Sequence, residues 1–384
     1  MPALKTYDYI ICGSGAAGLS LLMHLMQNKS FDEKSILVID KAKKNSNDRT
    51  WCFWEQQPGL FEPIVHHSWQ QVNFYSAFYS GLLNLQPYTY KMIRGINFYN
   101  YVLDAASSRP NITFITGNVQ AVANDVSTAR VIVDGESYQA TYVFNSIIFN
   151  KPSVPNEKYY LLQHFKGWMI ETAAPVFEDG KATLMDFRVS QRHGTTFVYV
   201  LPLSSNKALI EYTLFTKDTL PVEEYNTALK AYINKYLSIT DFKVIEEEYG
   251  IIPMTNINFS KHEGRIINIG TAGGQTKASS GYTFNFIQKH VRKITERLLK
   301  DELPVRNGSF FDERFKLYDS TLLNILYNKK LGGDQIFAGL FKKNEPSRVL
   351  RFLDNESSLE DELNIMGSVP SRIFMKAAMQ EIFR

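Results

Sequence analysis

Cysteine is nearly absent from this 384-residue chain: only Cys12 and Cys52 occur. Two cysteines cannot build a disulfide framework, and neither lies in a metal-ligand cluster, so a reducing cytoplasmic setting with no metal is expected. Long hydrophobic runs are missing too. No stretch approaches 18 uncharged apolar residues and the N-terminus has no apolar signal core, which excludes a spanning helix and a secretory leader from the reading. An excess of one charge is also lacking. The formal net charge is +3, and with no basic run or zinc spacing a nucleic-acid partner is not expected.

Aromatic residues are plentiful, at 13% with 26 Phe and 21 Tyr. That surplus suits a long apolar pocket and an aromatic core equally. Lys289, Arg292, Lys293, Arg297 and Lys300, then Lys329, Lys330, Lys342 and Lys343, alternate with Ile336, Phe337, Leu340 and Phe341. Such a face either docks on an anionic bilayer or is simply solvated.

The chain is organised around residues 7–18. Tyr9 to Cys12 reads as a buried strand running into Gly13, Gly15 and Gly18. Gly13 permits the tight turn, Gly15 lets a pyrophosphate approach the backbone, and Gly18 lets helix and strand pack closely. Ala16 and Ala17 open a helix reaching Met26, whose N-terminus offers free N–H groups to that phosphate. A second strand, Ser35 to Ile39, ends in Asp40 beside Lys41, about where a ribose-binding carboxylate stands roughly 20 residues on. Strand, turn, helix, strand and acid in this order predict a dinucleotide site.

Arg49-Thr50-Trp51-Cys52-Phe53-Trp54 follows a polar stretch. Arg49 could meet a cofactor phosphate while the rings wall a pocket, or the rings could plug a core beneath a surface arginine. Val72 to Tyr75 and Leu83 to Tyr88 read as strands, Ile96 to Ala106 as a helix, and Ile112 to Thr116, Val119 to Val122 and Ala129 to Val133 as strands with a hairpin at Gly135. Tyr142 to Ile148 is a further strand, after which Lys151 to Pro155 breaks the pattern. The division expected is residues 1–155 and 256–300 for a nucleotide-binding domain, 156–255 for an antiparallel-sheet domain, and 301–384 for a helical C-terminal region.

Within the second domain, Met185-Asp186-Phe187-Arg188 places opposite charges two apart, on one strand face. Leu209-Ile210-Glu211-Tyr212-Thr213 sets a carboxylate between apolar neighbours. Glu211 is either exposed at an edge or aimed into an apolar cavity with a raised pKa. The later strand Arg265 to Ile269 ends in Gly270, Thr271, Ala272, Gly273 and Gly274, followed by Ser280, Gly281, Tyr282 and a helix from Phe284. A strand returning so late with glycines at its carboxyl end points to FAD rather than NAD.

These segments, with Ile252-Pro253-Met254, resemble the flavin-dependent lycopene beta-cyclases. Two departures stand out: Tyr212 follows Glu211 where plant members carry a second acid, and Ala278 stands where a proline is common. The resemblance implies an α/β fold: a Rossmann-like FAD-binding domain of the FAD-dependent hydroxylase/reductase type, an antiparallel-sheet substrate domain and a helical C-terminal region. It implies cyclisation of lycopene ends to beta-ionone rings, with reduced FAD as the active form and NAD(P)H as reductant. Glu211 is the expected acid–base group, with Asp186 and Arg188 beside it in the site. Gly13, Gly15, Ala16, Ala17, Gly18, Asp40, Lys41, Arg49, Gly270, Thr271, Gly273, Gly274, Gly281 and Tyr282 are the expected cofactor contacts. A membrane-borne substrate favours peripheral attachment through the basic, aromatic surface between Lys329 and Arg351. The competing readings are an FAD- and NAD(P)H-dependent monooxygenase and a polyene-binding flavoprotein without catalysis.

Overall fold

The computed structural model of the chain describes residues 5–150, 153–305 and 310–383. The apolar strand β1 (Lys5–Cys12) reverses at Gly13 into α1 (Ala16–Met26), and β2 (Ile36–Asp40) follows. Next come β3 (Thr50–Glu55), β4 (His67–Trp69), β5 (Gln71–Tyr75), β6 (Ser80–Asn84), β7 (Thr89–Arg94) and α2 (Gly95–Ser107). Then come β8 (Ile112–Thr116) and an antiparallel meander of β9 (Val119–Asn124), β10 (Ala129–Val133) and β11 (Glu136–Asn145). Four long strands, β12 (Tyr160–Glu171), β13 (Lys181–Asp186), β14 (Thr195–Ser204) and β15 (Lys207–Thr216), lead to α3 (Val222–Leu237) and β16 (Lys243–Thr255). The chain returns through β17 (His262–Glu263), β18 (Ile266–Asn268) and α4 (Phe284–Leu298). It closes with α5 (Phe310–Tyr327), α6 (Gly333–Lys343), α7 (Pro346–Leu353), α8 (Leu359–Gly367) and α9 (Ser371–Ile382).

Parallel pairing of β1 with β2 and β11, of β2 with β8 and of β11 with β18 builds a Rossmann-like sheet. Leu22, Phe98 and Ile294 from α1, α2 and α4 bury one of its faces, and the β9–β10 hairpin closes over the other. Buried on both sides, the second half of β1 and β2 read as continuous apolar runs rather than alternating ones.

The second sheet runs β16-β12-β15-β14-β13-β5-β6. Its pairings are antiparallel except β5 with β13, which is parallel. Because β5 and β6 precede residue 155 yet belong here, the sheets are not divided at that residue. Part of the crossover expected at 151–155 lies outside the described residues. One face packs on α3 through Ile170, Val198, Ile210, Leu229 and Ile233, and the other faces α5–α9 and a cavity.

The structure corrects two expectations and adds one strand that the sequence reading leaves unassigned. Of the strand expected over Leu83 to Tyr88, only Leu83 and Asn84 are strand, closing β6; the rest is a turn, in which Asn84 Oδ1 accepts from the Gln86 N–H at 3.1 Å and Pro87 has no N–H to give a ladder. The stretch after Arg49 is itself a strand, β3, paired with β7. The docking surface between Lys329 and Arg351 is not formed, since Ile336, Phe337, Leu340 and Phe341 are buried against the sheet. Arg348 and Arg351 pair with Asp361, and Lys289 on α4 pairs with Asp354 and Glu356. The apolar stripes of these helices meet the sheets, leaving the charges to solvent and to each other. The exposed apolar residues lie further on: Leu359, Leu363 and Met366 on α8, and Met375, Met379, Ile382 and Phe383 on and just past α9. No helix among the described residues is long and apolar enough to cross a membrane.

Candidate active site

A cavity of about 560 Å³ opens between the Rossmann-like and seven-stranded sheets and is flanked by the small sheet β3-β7-β4; Gly15, Ala16 and Ala17 wall one end and Tyr199, Leu209 and Glu211 the other. The glycines divide the work at the first end. Gly13 has φ +97°, and a Cβ on it would lie 2.2 Å from Ser146 Oγ. A Cβ on Gly18 would lie 1.9 Å from the Gly13 carbonyl oxygen, so α1 rests directly on the turn. A Cβ on Gly15 would meet nothing within 4 Å. Gly13 and Gly18 therefore build the turn, whereas Gly15 faces open space.

Asp40 lies behind this turn, accepting from the Ser14 N–H at 2.7 Å and Ser14 Oγ at 2.9 Å. Burial pushes its carboxyl up, but the Ser14 and Ala42 donors and Lys44 hold it below the usual carboxylate range. Lys41 is exposed and outside the cavity wall; Lys44 lines the cavity and reaches Asp40 at 3.4 Å. Arg49 is exposed on the cavity wall, anchored on the Asp48 carbonyl. Each of the two readings of its neighbourhood holds for part of the strand. Trp51 and Cys52 line the cavity, while Phe53 stacks on Phe284 at 4.5 Å and Trp54 packs edge-on to Tyr282.

The returning segment reaches the same cavity. Gly270 presses on α1, where a Cβ would come 2.7 Å from Ala17 Cβ, and Thr271, Gly281 and Tyr282 line the wall. Gly273 and Gly274 pack instead against Asn268 and Phe259, away from it.

The residues fit a bound dinucleotide on several grounds. The N-termini of α1 and α4 both point N–H groups at the cavity without a side-chain cap. Gln163 Oε1 and Ser280 Oγ are buried in the wall with no hydrogen-bond partner. Orphaned buried polar atoms beside open space above Gly15 are what a polar ligand would satisfy. Among the described residues no cluster of His, Cys, Asp or Glu could hold a metal ion.

At the other end Glu211, on β15, accepts from Thr213 Oγ1 at 2.7 Å. Its carboxyl is pushed well above the usual range, first by burial and then by the neighbouring carboxyl of Glu248. Glu211 is half-buried in the cavity wall on an internal strand, between β12 and β14, so the edge-exposed alternative is excluded. Asp186 and Arg188 are elsewhere. Asp186 is fully buried on the α3 face, accepting from Arg188 and from Tyr232 OH at 2.7 Å, and Arg188 lies over Tyr75 and Tyr236. The sheet thus separates this ion pair from Glu211.

The sequence matches the family described as lycopene cyclase protein over residues 8–379. The chain belongs to the lycopene cyclase family. It is 27% identical over 264 residues to the lycopene beta-cyclase of Pantoea ananas, covering 65% of this chain and 63% of that relative, short of two thirds of the relative's length. A match to the chloroplastic lycopene beta cyclase of Nicotiana tabacum is also 27% identical, over 43% of this chain and 35% of that protein. The fold matches a flavoprotein/dehydrogenase from Cytophaga hutchinsonii with a TM-score of 0.67 at 12% identity, covering 98% of this chain and 99% of that one.

In this member of the lycopene cyclase family, residues that sequence reasoning passed over also shape the site. Gln163, Phe165, Tyr90 and Tyr199 line the cavity, and Glu248 stands behind Glu211. Glu248 closes a run of three acids that reads as a solvated edge. Only strand pairing brings it inward.

Proposed function

We propose that this chain is a lycopene beta-cyclase, a flavoprotein that closes the ends of lycopene into beta-ionone rings, through gamma-carotene to beta-carotene. The observation that carries this is Glu211: a carboxyl held well above its usual range by burial and by Glu248, in the wall of the cavity that also reaches the open backbone at Gly15. Cyclisation is an isomerisation. A proton adds to the terminal double bond, the ring closes through a carbocation, and a ring proton leaves, so no electrons are consumed. Protonated Glu211 is the donor, and its carboxylate can take a proton back. The rings of Tyr90, Tyr199 and Tyr282 line the cavity, and aromatic π-systems there favour positive charge on the hydrocarbon.

Gly13, Gly15, Ala16, Ala17, Gly18, Asp40, Gly270, Thr271, Gly281 and Tyr282 are the residues assigned to holding FAD, with Arg49 at the mouth. FAD, when bound, supplies a reduced, anionic ring that stabilises nearby cationic carbon, with NAD(P)H as its reductant. Expression in a lycopene-accumulating cell tests the whole reading: beta-carotene should replace lycopene. Turnover under nitrogen with pre-reduced flavin should persist, and a strict need for oxygen would instead point to a monooxygenase.

A hydrocarbon substrate requires access from a bilayer, and the reading places the chain on the cytoplasmic membrane surface. Leu359, Leu363 and Met366, and likewise Met375, Met379 and Ile382, recur at i, i+4, i+7, giving each helix one exposed apolar stripe. Apolar insertion, unlike ion pairing, survives salt. The purified chain should co-sediment with phosphatidylcholine vesicles at low and high salt. Met379→Glu should weaken binding by about tenfold, the worth of one large apolar side chain; equal binding by that variant would remove these helices from the docking face.

A further inference from the structure

We infer that Glu248 is a positioning residue for the acid: Glu211 and Glu248 share one proton across Gly167, with Glu248 keeping the negative charge. The inference rests on the acid–base reading of Glu211.

The register brings them together. On β12, Gly167 pairs with Glu211 of β15 on one side and with Glu248 of β16 on the other. Directly paired residues point to the same sheet face, and the two outer strands of such a triplet stand about 9–10 Å apart. An intervening side chain would ordinarily keep the flanking ones separate. Here there is none: a Cβ on Gly167 would come 2.9 Å from Glu248 Cγ and 3.1 Å from Leu209 Cδ1. Glu248 therefore leans over the glycine toward Glu211.

The hydrogen bonds leave one place for a proton. Thr213 Oγ1 donates to Glu211 Oε1 and Thr50 Oγ1 to Glu248 Oε2, each at 2.7 Å. Glu248 Oε1 is buried and has no donor. Two ionised carboxylates side by side out of water repel strongly, and a single shared proton both removes the repulsion and supplies the missing donor. The surroundings decide which group holds it. Burial pushes both carboxyls up, but Glu248 has the Thr50 hydroxyl and the Arg49 charge to offset it, and it does not line the cavity. Glu211 faces the cavity with Cys52, Tyr199 and Tyr282 around it, none of them cationic. The remaining nearby charge, Glu246, is tied to Arg94. The proton thus sits on the carboxyl that substrate can touch, held there by one that it cannot.

Infrared spectroscopy of the purified chain without cofactor or substrate tests this directly. Glu211→Gln should delete a protonated-carboxyl C=O band that persists above the usual carboxylate range. In Glu248→Gln, which keeps shape and the acceptor for Thr50, that band should vanish at a pH lower by about one unit or more. Glu248→Asp, which keeps the charge, should move the midpoint back toward the parental value. In cyclisation assays, Glu248→Gln should bring the high-pH limb down by the same interval while retaining the rate below it. An unchanged midpoint, or a uniform loss of rate at every pH, would overturn the proposal. A parental chain that does not cyclise lycopene would fail the functional reading alone, since the band still reports the shared proton.

Discussion

On the α3 side of the seven-stranded sheet, Asp186 is enclosed by donors: the Arg188 guanidinium and backbone N–H, and the Tyr232 hydroxyl. On the cavity side, Glu211 has the Thr213 hydroxyl and, opposite it, a second acid. Both lie inside the protein on neighbouring parts of one sheet, so burial alone does not separate them. Their partners do. A carboxylate supplied with a cation and hydrogen bonds is locked into structure, whereas one facing an acid keeps a proton that it can give away.

The most complete loss should come from Gly15→Val. The space above Gly15 is open, so the fold should survive while the purified protein becomes colourless. Gly18→Val, by contrast, should yield little folded protein, because its side chain would collide with the Gly13 carbonyl. A fully flavin-loaded Gly15→Val protein would dissociate the cavity from the cofactor. Next in size, Glu211→Gln should lower cyclisation by about two orders of magnitude or more, with flavin content and folding retained. Pigment ratios in lycopene-accumulating cells measure this, and a parental rate would end the acid role of Glu211.

Asp186→Asn should act on the opposite quantity. Urea unfolding should show about 1–3 kcal/mol of lost stability, from weakened buried hydrogen bonds, with cyclisation per folded molecule nearly parental. If it instead matched Glu211→Gln in rate, the distinction between the two faces would collapse.

The smallest effect is in the pH dependence of stability. A carboxyl raised in the folded state, as Glu211 is, contributes stability below its ordinary value that is lost as pH rises through the folded one. Glu211→Gln should therefore lose less stability than the parent as pH rises above the ordinary carboxylate range in thermal scans. On the acid side, burial lowers His164 and His290 to about 4, so stability should decline as pH falls from 6.5 through that value. Glu211→Gln should share that acid limb with the parent.

Local chemistry made much of the chain legible. Helix α1 spans the residues its apolar pattern marked, and Gly13 and Gly18 occupy the close contacts that their spacing required. The long strands were visible from their apolar runs, and Glu211 stood out as one acid among them. Leu83 to Tyr88 misled because its apolar and aromatic residues outvoted Pro87. Ile336 to Phe341 misled because an amphipathic helix looks the same whether its stripe meets a membrane or a sheet.

Sequence by itself determined the nucleotide-type turn, the order of the elements and the family, since each rests on contacts between residues close along the chain or on motifs kept in sequence. Tertiary structure alone decided which acids meet. Glu211 and Glu248 are 37 residues apart and adjoin through strand pairing on either side of Gly167, while Asp186 turns to the far face. A side chain's neighbours across a sheet depend on register, and register is set by the packing of the whole sheet rather than by any one strand.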